Sequence, residues 1–156
     1  FFIVLIAAYS IATYSRNLVW KTEISLWEDA VKKSPSRARA HYTLGVYYFK
    51  AQRYEEALRE YNSALKLKPE YPEAYYRLGE YYFNFKDAEG AAAYYKKAIE
   101  INPEFFEAYV NLSNVYLANR QYEDAKEGLN NALRFTSDQD IIKSINKILK
   151  EIERYE

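Results

Sequence analysis

His41 is the only histidine among 156 residues, and cysteine is absent. One imidazole and no thiolate cannot assemble a zinc site of ordinary composition. The lack of cysteine also excludes disulfides and leaves no mark of redox compartment. Carboxylates stand side by side at Glu55-Glu56 and Glu123-Asp124, but on the solvated faces of amphipathic segments. No serine, lysine or tyrosine is paired with a base in the manner of an activated nucleophile. No glycine-rich phosphate loop occurs. The residues therefore point away from catalysis, metal, cofactor and small-molecule substrate. Lysine plus arginine equals aspartate plus glutamate, 22 against 22, so no general attraction to nucleic acid or an anionic membrane is expected. What remains is recognition of protein. The 18 tyrosines suit that role, because the side chain is large, rigid and amphipathic.

The elements that must position these residues are visible as a repeat of 34 residues. Leu44-Gly45, Leu78-Gly79 and Leu112-Ser113 stand in register, as do Tyr48, Tyr82 and Tyr116. Ala57, Ala91 and Ala125 form a column of small residues, Ala64, Ala98 and Ala132 another, and Tyr61, Tyr95 and Leu129 a column of bulk. Pro35, Pro69 and Pro103 recur at unit ends, where proline stops a helix. Apolar residues at Tyr54, Ala57, Leu58, Tyr61, Ala64 and Leu65 follow helical spacing. The pattern predicts helix pairs over 38–51 and 54–67, 72–85 and 88–101, and 106–119 and 122–135. Gly45 and Gly79 mark the close approach of the two helices in a pair. A last helix is expected over 138–154, capped by Ser137 with Asp140 as its partner, sealing the open end with Ile141, Ile145, Ile148, Leu149 and Ile152. With 49% apolar and 28% charged residues, the chain is long enough to bury one sizeable core.

These columns resemble the tetratricopeptide repeat (TPR) family over residues 38–137. The resemblance implies an all-α fold, a TPR α-α solenoid of three full repeats. It departs at Ser113, in place of glycine, and at Ser137, in place of proline. It also implies a concave groove lined by the first helices, where family members bind peptides or helices. The groove positions are Arg39, Tyr42, Val46 and Phe49; Glu73, Tyr76, Glu80 and Phe83; and Glu107, Val110, Asn114 and Leu117, with Arg77 and Asn111 beside them. Tyr42, Phe49, Tyr76 and Phe83 would supply an aromatic strip. The family's chaperone-binding members grip a terminal carboxylate with lysine and asparagine. Here Tyr42 and Val46 occupy such places, so that ligand is not expected. Leu44, Gly45, Tyr48, Ala57, Leu78, Gly79, Tyr82, Ala91, Leu112, Tyr116 and Ala125 are expected to be repeat core, and His41 shares a packing column with Tyr75 and Tyr109.

Residues 1–14, FFIVLIAAYSIATY, carry no charge. As a helix they reach roughly 21 Å, short of a ~30 Å hydrocarbon core. A chain with no methionine, starting at Phe1, is expected to be a processed product or a piece of something longer. Residues 1–19 are read as an apolar anchor or assembly helix, with Phe1, Phe2, Ile3, Leu5, Ile6 and Tyr9 as its contact residues. Residues 20–37 form a half-repeat, since Trp27, Ala30 and Pro35 fall one period before Tyr61, Ala64 and Pro69. Residues 138–156 are the capping segment. Thr13, Arg16-Asn17, Trp20, Glu23, Ser25-Leu26-Trp27, Asp29, Pro35, Ala40-His41 and Leu44-Gly45 resemble a junction in O-mannosyltransferase-like membrane proteins, where a last membrane helix runs into an extracytoplasmic TPR tail. The apolar start is also similar to mature type IV pilins, although Leu5 stands where that family carries glutamate. The expected function is a non-enzymatic interaction module that self-assembles, as a filament or other homopolymer, through residues 1–19 and repeat surfaces. The alternatives are a membrane-tethered scaffold that binds a different protein in its groove, and a detached tail of a membrane glycosyltransferase-like protein. A membrane-associated or extracellular place follows from the junction.

Overall fold

The computed structural model describes residues 23–154. All regular structure among them is helical. Helix α1 occupies 23–33, followed by α2 (Ala38–Lys50), α3 (Tyr54–Leu67), α4 (Pro72–Asn84), α5 (Ala88–Ile101), α6 (Phe106–Ala118), α7 (Tyr122–Leu133) and α8 (Gln139–Ile152). The limits of α2 to α8 depart from the sequence expectation by at most two residues. The contact residues proposed in 1–19 lie outside the described residues.

The chain divides after Pro69 into two compact units. The first holds α2 packed on α3, with Ile24 of α1, Leu44, Tyr48 and Tyr61 in its buried core. The second contains the pairs α4–α5 and α6–α7, α5 against α6, and α8 against α7. Its core runs from Leu78, Ala91 and Tyr95 through Leu112 and Val115 to Ala125, Leu129, Ala132, Ile145 and Ile152.

Gly45 and Gly79 are small for a specific reason. A Cβ at Gly79 would lie 2.5 Å from two ring carbons of Tyr95, and one at Gly45 would lie 2.7 Å from the Tyr61 ring. Glycine on the first helix thus makes room for a tyrosine ring on the second. In the last pair both partners change together: Ser113 replaces glycine and Leu129 replaces tyrosine. Ser113 is fully buried, donates to the Tyr109 carbonyl at 2.8 Å, and faces Gly128, where a Cβ would collide with its Oγ.

The turn inside each pair is three residues long, and each has one residue at positive φ: Gln52 at 62°, Lys86 at 61° and Arg120 at 59°. These lie 34 residues apart, as the repeat requires. The N–H of the next residue reaches back to the carbonyl of Tyr48, Tyr82 or Tyr116 at 2.8 to 3.0 Å, which closes the helix end. Glycine usually fills this left-handed position, so its sequence signal is missing here.

Helix α8 starts one residue later than the expected cap. Asp138, not Ser137, is the N-cap, and its Oδ1 accepts from the N–H groups of Asp140 and Ile141 at 2.9 and 3.2 Å. A carboxylate outcompetes a hydroxyl there because its charge also complements the positive end of the helix. The expected core tyrosines Tyr82 and Tyr116 are half-buried, whereas Tyr48 is buried. Tyr82 stacks on Tyr94 with ring centroids 5.1 Å apart, and Lys96 lies over the Tyr116 ring. His41 bridges two groups: Nδ1 lies 2.6 Å from Glu60 Oε2 and Nε2 lies 2.9 Å from the Pro35 carbonyl. Both partners are acceptors, so the ring donates to both only when it carries both protons.

Candidate interaction cleft

The groove positions fall into the two units separately. In the first, Arg39 is exposed, while Tyr42 and Phe49 are half-buried against their own helix pair. Tyr42 leans on Tyr61 at 6.3 Å and Phe49 meets Tyr54 edge-on at 5.2 Å. In the second, Phe83 is 47% exposed near the end of α4, and Asn114 is exposed on α6. Leu117 turns instead towards the cluster beneath α8. The aromatic strip of the sequence reading is therefore partly used up in packing.

Tyr76, Glu107, Val110 and Asn111 come together. They line one cleft of about 480 Å³ in the second unit, closed on its far side by Asp138, Asp140, Ile141, Ser144, Ile145 and Ile148. The local fold explains the placement. Tyr76 is fixed by ring contacts to Tyr95 at 5.7 Å and Phe105 at 5.1 Å. Asn111 Nδ2 donates to the Tyr76 hydroxyl at 2.9 Å and reaches the Tyr95 hydroxyl at 3.5 Å. This ties α6 to α4 and α5 and leaves the carboxamide with further hydrogen-bonding capacity. With both N–H groups directed at tyrosine hydroxyls, its Oδ1 can accept the N–H of a bound peptide bond.

Electrostatics in the cleft are negative. Glu107, Asp138 and Asp140 line it, and no lysine or arginine does so among the described residues. Arg77 on α4 pairs with Glu80 at 2.6 Å, and its guanidinium lies 5.4 Å from the Tyr76 ring centre. Burial, reinforced by the Glu80 carboxylate, pushes the Tyr76 hydroxyl up to about 12. The Tyr95 hydroxyl is raised for the same two reasons. Both therefore stay neutral hydrogen-bonding groups across ordinary pH. Among the described residues no cluster of histidine, aspartate and glutamate could hold a metal ion, and no helix is long and apolar enough to cross a membrane.

The contribution of α8 to this cleft was not legible beforehand. The isoleucines expected to seal the core do so: Ile145 and Ile152 are buried in the terminal cluster, and Ile141, Ile148 and Leu149 pack against it. Ile141 and Ile148 are only half-buried. The signal was an apolar face wider than one seam requires.

A family model described as Tetratricopeptide repeat matches residues 24–72 and 43–104, and a second model of the same description matches 82–145. No curated protein matches the chain. Among solved structures, the crystal structure of MamA is similar with 27% identity and a TM-score of 0.70, covering 80% of this chain and 72% of that one. The first TPR of Spaghetti (RPAP3) bound to the HSP90 peptide SRMEEVD aligns at 22% identity with a TM-score of 0.69, covering 76% of this chain and 92% of that one.

Proposed function

The chain belongs to the tetratricopeptide repeat family, and from that premise we propose that it acts without catalysis by taking a segment of a partner protein into the cleft between α4, α6 and α8. A TPR fold is a protein–protein interaction module. The observation that carries the finer reading is the convergence of Val110, Ile141 and Ile148 as a partly exposed apolar lining around the Asn111 carboxamide. Apolar burial supplies affinity, and one well-placed amide fixes the register of a bound backbone. The fold alone is shared with the peptide-bound neighbour. Its peptide SRMEEVD is acidic, and an acid-lined cleft disfavours it here.

Site-specific photo-crosslinking tests the reading. A photoreactive side chain at Val110 is expected to give one discrete adduct with a partner protein in cells that make this protein. The same group at Lys143, exposed on the other side of α8, is expected to give none. Equal labelling from both positions, or no adduct from Val110, would sink it.

A second reading, self-association, is favoured by the uncharged run over residues 1–14. An uncharged, apolar sequence of that length gains by burial against a second copy or a lipid surface. The junction resemblance would place the repeats beside a membrane on its extracytoplasmic side. Negative-stain images of the chain with and without residues 1–19 separate these cases. Regular fibres lost on deletion, and lost in Ile3→Lys with Ile6→Lys, are the expected result for assembly. Dispersed particles in every sample would discard it.

A further inference from the structure

We infer that the cleft of the second unit accepts an amphipathic helix from a partner protein, apolar along one stripe and flanked by lysine or arginine. The inference rests on the cleft reading above and adds the chemistry of the occupant. Ile141, Ile145 and Ile148 recur at i, i+4 and i+7 along α8, which makes a straight ridge on one helix face. Ile145 is buried at 3% exposure, and the two residues flanking it in the ridge are half-buried. With Val110 opposite, the ridge forms the side of a trough. A second helix fills such a trough by setting its own i, i+4 row alongside.

The charges select the flanks. Glu107 stands on α6, and Asp138 and Asp140 stand at the start of α8, all exposed. Arg77 is occupied by Glu80, and Lys143, Lys147 and Lys150 of α8 are exposed residues that do not line this cleft. The chain as a whole is neutral, so the local excess of carboxylates is a property of this site and not of the composition. Asp138 also caps α8. A basic flank gains from all three carboxylates, and an acidic one meets them as repulsion.

The test uses two synthetic peptides of about fifteen residues with the same leucine stripe, one flanked by lysine and one by glutamate. Binding to the full chain is followed by fluorescence anisotropy at low and high salt. The lysine peptide is expected to bind about tenfold more tightly at low salt, and added salt should narrow the gap. Glu107→Gln with Asp140→Asn should remove most of the preference while leaving the apolar trough. Equal affinities, or tighter binding of the glutamate peptide, overturn the charge selection and leave the cleft reading standing. A lysine-peptide affinity unchanged in the double variant overturns it too, because binding would then lie elsewhere. Failure of both peptides to bind, with a Val110 crosslink still seen, overturns the helical occupant alone; failure of peptides and crosslink together removes the cleft reading as well.

Discussion

Gly79→Ala lowers the stability of the protein, although alanine is the better helix former. In a free helix the exchange would gain about 1 kcal/mol. Here the new methyl carbon would sit 2.5 Å from Cδ1 and Cε1 of Tyr95, and that ring is only 1% exposed. The ring is held from several sides, by Tyr76 at 5.7 Å and by Asn111 at its hydroxyl. It cannot swing into solvent, so α4 and α5 must separate. Overpacking of this kind costs about 1–3 kcal/mol, and after the helix-propensity gain a net loss of roughly 1 kcal/mol lowers Tm by a few degrees in a chain of this size. Thermal unfolding followed by circular dichroism reads it directly. An unchanged or raised Tm would mean that the glycine column does not exist to admit the ring. The sharper form is a double-mutant cycle. In a Tyr95→Leu background the same Gly79→Ala change should cost less, with a coupling of about 0.5–3 kcal/mol. The last helix pair already carries leucine opposite a residue larger than glycine, at Leu129 and Ser113.

Ile145→Asp is expected to release α8 and to abolish the cleft with it. Ile145 is packed on the cluster of Ala125, Leu129, Ala132 and Ile152. Aspartate there either takes a charge into an apolar site or drives the helix off. The penalty is expected to be about 4 kcal/mol or more, at the severe end for single substitutions. Because α8 covers the end of the last pair, its loss exposes Leu129 and Ala132, both fully buried at present. Hydrogen exchange should show protection lost over α8 and reduced over α7, with α4 and α5 less affected. Lys143→Asp, on the exposed side of the same helix, is the control and should change stability by no more than about 0.5 kcal/mol. If Ile145→Asp leaves exchange in α8 unaltered, the cap does not hold the end of the repeat.

The sequence by itself determined the fold. A period of 34 residues with columns of leucine, alanine and proline defines helix pairs, because helical spacing and small-residue contact are local properties repeated in each unit. It also excluded ordinary metal and thiol chemistry by composition. The tertiary structure decided which side chains meet. That the glycine at 79 answers to the ring at 95, that Ser113 answers to Gly128, and that Asp138 rather than Ser137 caps α8 depend on distances across helices. Gln52, Lys86 and Arg120 take the left-handed position without a glycine, because packing of the helices on either side imposes the turn. The cleft is the clearest case. Its acidic rim and isoleucine wall come from α6 and α8, which stand one period apart but do not share the repeat's residue columns, so only the packed chain brings them to one site.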